Sequence, residues 1–152
     1  MNHGLHVVLV APEIPPNTGS IARLCAGTDT ELHLVEPLGF SLEDRYLRRA
    51  GLDYWPHVRL HVHHDLASLY AAYPDGRFFY ASKKADRLHH DVAFRKGDFL
   101  VFGCETKGLP ETLLADNAAS TLRLPQNDKI RSQNLANAVS AVLYEAIRQV
   151  SD

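Results

Sequence analysis

The chain has 152 residues, 45% hydrophobic and 22% charged, with two cysteines and a formal net charge of −2. That balance disfavours a disordered chain and argues against an indiscriminate coat for nucleic acid, and the length suffices for one domain (residues 1–152) with its own core. No apolar run is long enough for a bilayer, and residues 1–6 lack the charged-then-apolar layout of a signal peptide, so a cytoplasmic protein away from the membrane is expected.

In chain order, residues 5–10 (LHVVLV) are a continuous β-branched run ended by Pro12 and are expected as a buried strand. Pro15 and Pro16 follow, and Asn17 or Thr18 suits the cap of a helix that starts near Gly19, turns Ile21, Leu24 and Cys25 inward, and stops at Gly27. Residues 32–35 make a second strand, closed by Pro37 and Gly39. Ser41 then opens a helix with Glu43 and Asp44 in its first turn and Arg48 and Arg49 in its last, as the helix dipole favours, ended by Gly51. Residues 58–62 are a third strand, 66–73 a helix stopped by Pro74, 78–81 a fourth strand, and 99–102 (FLVF) a fifth. Pro110 opens a short helix through Leu114, and residues 121–124 supply a sixth strand. In the closing helix, Leu135, Ala138, Val139, Val142, Leu143, Ala146, Ile147 and Val150 recur at three- and four-residue steps, which is one buried stripe. Alternating strands and helices predict an α/β fold with a mainly parallel six-stranded sheet and helices on both faces. Cys25 and Cys104, each in an apolar pattern, are expected as free buried thiols.

Three polar segments follow strand ends, where open α/β sheets bind ligands. In PEIPPNTGSIAR the prolines stiffen the entry, and Arg23, about one turn into the expected helix, is suited to grip a phosphate; a solvated arginine on a capped helix is the bland alternative. FGCETKGLP places Gly103 directly after a buried strand, with spacing of neither a Walker loop nor a dinucleotide fingerprint. Its Glu105 can act as acid or base, orient another group, or cap the following turn. In LRLPQNDKIRSQNLANAV, Ser132 and Asn134 can cap the last helix, and Asn137 needs a partner if buried.

Basic residues cluster at Arg45, Arg48 and Arg49, at Lys83, Lys84 and Arg87, at Arg95 and Lys96, and at Lys129 and Arg131. His57, His61, His63, His64, His89 and His90 are dense, but no cysteine or well-placed carboxylate completes a zinc set, so no metal is expected and a solvated, slightly basic rim is the better account. No G-x-S-x-G elbow of a serine hydrolase is present.

Four ordered motifs, PEIPPNTGSIARLC, HLVEPLGF with RRAGLDYW after it, FGCETKGLP and LRLPQNDKIRSQNLANAVSAVLYEA, together resemble the knotted SPOUT class of RNA methyltransferases. Within it the chain is similar to the small tRNA 2′-O-methyltransferases that modify the wobble nucleotide, cytidine or uridine 34, of certain leucine tRNAs (the TrmL, or YibK, group). The likeness runs from about Leu5 to Arg148. It implies a C-terminal trefoil knot, which periodicity could not have suggested, S-adenosylmethionine as methyl donor, tRNA as substrate and a homodimer whose sites borrow residues from the partner. It further implies cofactor positions at Ala81, Gly103, Leu124 and Ser132, catalytic or site-shaping roles for Arg23, Glu105 and Asn134, and substrate contacts by Asn17, Lys83 and Arg131. Tyr144 is placed where the last helix meets the dimer or cofactor.

On this reading the enzyme aligns a ribose oxygen with an activated methyl and eases loss of the hydroxyl proton. Arginine keeps its proton, so Arg23 is expected to hold the adjacent phosphate while a phosphate oxygen or water accepts the proton. Two other readings stand beside it. One is a knotted RNA-binding or assembly factor without transfer activity, which intact Arg23, Glu105, Ser132 and Asn134 disfavour. The other is a nucleotide- or phosphate-binding enzyme using the Gly103 loop, which the missing Walker lysine disfavours.

Overall fold

The computed structural model describes residues 1–51 and 54–151. Leu52 and Asp53 of the RRAGLDYW segment lie outside the described residues. The strands are β1 (His6–Val10), β2 (Glu31–Val35), β3 (Arg59–His63), β4 (Phe78–Ala81), β5 (Phe99–Phe102) and β6 (Thr121–Leu122). The helices are α1 (Pro15–Gly27), α2 (Arg45–Gly51), α3 (Leu66–Ala72), α4 (Glu111–Asp116) and α5 (Leu135–Val150). All pairings are parallel and the strand order is β3-β2-β1-β5-β4-β6, so the α/β sheet expected from the alternating pattern is present.

Alternation along each strand divides the core between the two faces. Val7, Leu9, Leu32, Leu34, Leu100 and Leu122 point to one face, where α1 and α5 cover them with Ile21, Cys25, Val139, Val142, Leu143 and Ala146. Val8, Val35, Tyr80, Phe99 and Val101 point to the other, under Leu69 of α3 and Leu113 and Leu114 of α4. The α5 stripe is buried along Val139, Val142, Leu143, Ala146 and Ile147, while Leu135, Ala138 and Val150 are half-buried. Asn137 is exposed and so needs no buried partner.

Several boundaries differ from the pattern. α1 starts at Pro15, not near Gly19, with both prolines in its first turn, where an absent N–H costs no helical hydrogen bond. Arg23 consequently sits eight residues after Pro15, more than two turns in. α2 starts at Arg45; Glu43 and Asp44 precede it, and the Asp44 carboxylate accepts the N–H groups of Tyr46 (2.8 Å) and Leu47 (3.3 Å) as a cap. β6 ends at Leu122, and Arg123 continues only as an isolated bridge to Leu88. Cys25 is buried, which pushes its thiol up to about 12, whereas Cys104 is half-buried beside the Gly103 loop; both are free.

The solvated rim expected of His57, His61, His63, His64, His89 and His90 is present only in part, because three of them are half-buried and two further histidines, His6 and His33, are buried beside them. Parallel register sets His33 of β2 beside His61 of β3, and His6 of β1 beside Glu31 of β2, all on the α3 face. His33 is fully buried, its two ring nitrogens 2.9 Å from His6 Nδ1 and 2.9 Å from His63 Nε2. His6 stacks on Phe99 at 3.9 Å, and Glu31 lies 3.0 Å from His61 Nε2. Of the six histidines singled out by sequence density, His57, His64 and His90 are exposed. Among the described residues no group of three or more His, Cys, Asp or Glu side chains is arranged to hold a metal ion.

Candidate active site

The loops after β4, β5 and β6 converge at the carboxyl end of the sheet around a cavity of about 370 Å³. Ala81, at the end of β4, and Gly103, directly after β5, line it together with Leu124 and Ser132 from the segment after β6. Leu122, Leu135, Ala138 and Val142 add an apolar wall from β6 and α5. The mouth is cationic: Lys83, Lys84, Lys107, Arg123 and Arg131 line it against two carboxylates, Glu105 and Glu111. Such a cavity can take a ligand with a flat apolar body and a polar tail, and its rim favours an anionic partner.

Gly103 is dictated by packing. A Cβ there would lie 2.1 Å from the Gly108 carbonyl carbon and 2.2 Å from the Leu109 nitrogen, closer than any side chain tolerates. The loop doubles back tightly, with Gly108 N–H donating to the Cys104 carbonyl (3.0 Å) and Gly108 itself at φ +69°.

Glu105 does not cap its own turn. Its carboxylate crosses to the start of α1 and accepts the N–H groups of Glu13 (2.9 Å) and Ile14 (2.8 Å) and the Asn17 amide (3.3 Å). Glu13 reciprocates, accepting the Thr106 hydroxyl (2.7 Å) and N–H (3.1 Å), and these bonds, the hydroxyl foremost, hold its carboxyl below the usual carboxylate range. Asn17 in turn accepts from the Asn134 amide at 3.2 Å, while Asn134 Oδ1 caps α5 by accepting Asn137 N–H at 3.1 Å. One line of hydrogen bonds thus ties the β5 loop to the starts of α1 and α5.

Lys83 donates to the Arg131 carbonyl at 2.9 Å, bridging the loop after β4 to the segment after β6 across the cavity rim. Main-chain bonds lace the same two segments: Ser82 N–H to the Leu122 carbonyl, Arg123 N–H to the Arg87 carbonyl and His89 N–H to the Arg123 carbonyl. The structure therefore gathers Ala81, Lys83, Gly103, Glu105, Leu124, Arg131 and Ser132 around one cavity, while Asn17 and Asn134 do not line it but are joined to Glu105, Asn17 directly and Asn134 through Asn17. Arg23 stands apart, exposed on α1 and absent from the cavity wall, its guanidinium over the Tyr54 ring.

Glu13, Thr106 and Tyr54 are the functional candidates the sequence reading passed over. Glu13 carried a signal, as an acid inside a stiff proline segment; Thr106 and Tyr54 carried none without the tertiary contacts.

Residues 4–144 match the family model described as the SpoU rRNA Methylase family. A tRNA (cytidine(34)-2′-O)-methyltransferase of Escherichia coli (strain K12) is 48% identical over 147 residues, covering 96% of this chain and 94% of the relative. A protein of the same name from Burkholderia cenocepacia (strain HI2424) is 50% identical over 147 residues, covering 95% and 94%. A solved structure concerned with the 2-OH methylation of C/U34 on tRNA superposes with a TM-score of 0.93 at 46% identity, covering 98% of this chain and 97% of the other. The fold extends to the SpoU methyltransferase AviRb from Streptomyces viridochromogenes, solved with AdoMet, at a TM-score of 0.82 and 24% identity, over 98% of this chain and 61% of that one.

Proposed function

Since the chain belongs to the SpoU rRNA methylase family, we propose that it transfers a methyl group from S-adenosylmethionine to the ribose 2′-hydroxyl of nucleotide 34 in the tRNA anticodon loop. Relatives sharing about half its residues over nearly their full length carry that activity in their names. The observation that carries the reading is the convergence of Ala81, Gly103, Leu124 and Ser132, from loops after three different strands, on one cavity at the carboxyl end of the sheet.

The residues present fit the donor. About 370 Å³ is within the range of small-molecule sites, the apolar wall suits an adenine ring, and Gly103 lets the loop after β5 fold back tightly where it lines the cavity. Ala81, Gly103, Leu124 and Ser132 would hold the cofactor, which when bound supplies a methyl already activated by its sulfonium. The chain's own task is alignment and proton management. Arg23 grips the phosphate beside the target ribose and favours loss of the hydroxyl proton to a phosphate oxygen or water. Glu105 and Asn134 hold the loops in register, and Asn17, Lys83 and Arg131 face the RNA side. Anticodon-loop sugars are accessible because their nucleotides are single-stranded.

The reading includes a homodimer, in which Arg23 serves the partner's cavity. Its exposure on α1, the exposed Ile14 just before α1 and the exposed Tyr144 on α5 support that arrangement. It includes a trefoil knot, supported by the lacing of residues 82–89 to residues 122–131, one domain over 1–152, leucine tRNAs as substrates, and work in the cytoplasm. No helix among the described residues is long and apolar enough to cross a membrane.

The test is labelled methyl transfer to total tRNA, with mass mapping of the product nucleotide, beside calorimetry of S-adenosylmethionine against ATP. Donor uptake with 2′-O-methylation at position 34 supports the reading. Donor uptake without transfer favours a knotted RNA binder, and ATP uptake alone favours the nucleotide enzyme.

A further inference from the structure

Arg23 is on the exposed side of α1, where a long side chain ordinarily samples many rotamers, and a group that must meet a phosphate in one geometry gains from being held. The residue that holds it is Tyr54, thirty-one positions away, just before the short 3-10 turn (Trp55–His57) that packs on α1. Arg23 Nη2 donates to the Tyr54 hydroxyl at 3.3 Å, and its Cζ lies 4.6 Å from the Tyr54 ring centroid, within the range of cation–π attraction.

Neighbouring arginines also lie over aromatic rings, but differently. Arg48 lies over Trp55 at 4.5 Å and also donates to the Leu42 carbonyl (2.9 Å) and the Glu43 carboxylate (3.3 Å). Arg45 stacks on Tyr46, the next residue along the chain. Arg77, over Phe79, is paired with Asp98. Arg23 differs from these in combining a distant aromatic partner with no carboxylate partner among the described residues, so ring and hydroxyl orient its charge and no described carboxylate neutralises it. That combination suits a cation kept ready for an external anion.

We propose that Tyr54 is a positioning residue for Arg23, restricting its guanidinium through ring and hydroxyl together while leaving the remaining N–H donors for an RNA phosphate. The inference rests on the assignment of Arg23 above. Tyr54 acts through Arg23, not on the RNA itself, so whatever it contributes to rate or to tRNA affinity vanishes once Arg23 is alanine, and donor affinity does not depend on it.

The experiment is a mutant cycle in the full-length protein: Tyr54→Phe, Tyr54→Leu, Arg23→Ala and the double variants Arg23→Ala/Tyr54→Leu and Arg23→Ala/Tyr54→Phe. Each is measured for kcat and KM with tRNA, for donor affinity by calorimetry, and for tRNA affinity by filter binding without donor. Tyr54→Leu, losing ring and hydroxyl, is expected to lower kcat about tenfold. Tyr54→Phe, keeping the ring, is expected to lower it about threefold. Donor affinity should stay within about twofold throughout the Tyr54 series, tRNA affinity should fall no further than in Arg23→Ala, and Tyr54→Leu should cost nothing further in either readout once Arg23 is alanine. Where Tyr54→Leu fails to fold, the Tyr54→Phe arm and its cycle with Arg23→Ala carry the test. An undiminished rate in Tyr54→Leu beside a crippled Arg23→Ala would overturn this inference alone, as would an equal loss of rate or of tRNA affinity with Arg23 absent, which would mark direct contact with the RNA. A full rate in Arg23→Ala would overturn the assignment of Arg23 and the inference with it.

Discussion

The side chains of Asn17 and Asn134, 117 residues apart, meet at 3.2 Å at the starts of α1 and α5, the two helices that cover one face of the sheet. Asn134 does two jobs there, capping α5 with its oxygen and donating to Asn17 with its amide nitrogen.

Those jobs separate by substitution. Asn134→Ala loses both and is expected to cost about 1 kcal/mol of stability as a lost cap. Asn134→Asp keeps an acceptor for the Asn137 N–H and suits the helix dipole, but cannot donate to Asn17. Denaturant midpoints should show Asn134→Asp near the parent and Asn134→Ala lowered, while methyl transfer falls in both. Full transfer in Asn134→Asp would show that the link to Asn17 is dispensable.

Glu105 accepts three donors from the α1 side, and an amide in its place presents an N–H₂ to at least one of them. Glu105→Gln should therefore lower stability by about 1–3 kcal/mol. A scaffolding role leaves the shape of the pH–rate profile intact at a lower plateau. Loss of one limb of the profile would instead identify Glu105 as a proton carrier.

Gly103→Ala forces a methyl onto the Gly108 carbonyl carbon at 2.1 Å, so one strand of the loop must move. Overpacking of this kind costs about 1–3 kcal/mol. Because the displaced backbone lines the cavity, calorimetry should register at least a tenfold weaker donor affinity, roughly the same free energy expressed at the site. Donor affinity equal to the parent's would place the donor elsewhere.

Lys83 is tied to the Arg131 carbonyl yet exposed at the cationic mouth. Lys83→Ala and Arg131→Ala should each weaken tRNA binding and reduce the slope of log affinity against log salt by roughly one for each phosphate that the side chain neutralises. An unchanged slope would remove that residue from the RNA face.

The buried imidazoles set an acid limit on stability. Burial foremost, then the neighbouring imidazoles, lowers His33 from 6.5 to about 3; burial likewise lowers His6 and His63, with Glu31 partly opposing it at His6. The groups facing this cluster are His61, Glu31 and the Tyr73 ring. Above about pH 6.5 these histidines are neutral whether the chain is folded or not. Below it the unfolded chain takes up protons that the folded one refuses, so stability is lost as pH falls toward the depressed values, His33 alone contributing on the order of 1 kcal/mol per pH unit. Urea midpoints should be flat from pH 8 to 7 and fall from pH 6 to 5, and His33→Phe should flatten that decline. An equally steep decline in His33→Phe would assign it to other groups.

The six strands, the α5 stripe and the positions of the cavity loops are legible in the order of residues alone, because β-branched runs, helical periodicity and turn residues act over a few neighbouring positions. It misjudged the start of α1, since Pro15 and Pro16 read locally as breakers although a first turn accepts them without loss. Contacts between partners far apart in the chain emerge only in the folded molecule: Glu105 reaching the α1 start, Asn17 meeting Asn134, and Tyr54 beneath Arg23. The burial of His6 and His33 is of the same kind. It follows from the parallel register that stacks β1, β2 and β3, and register is set by the whole sheet, not by any one strand.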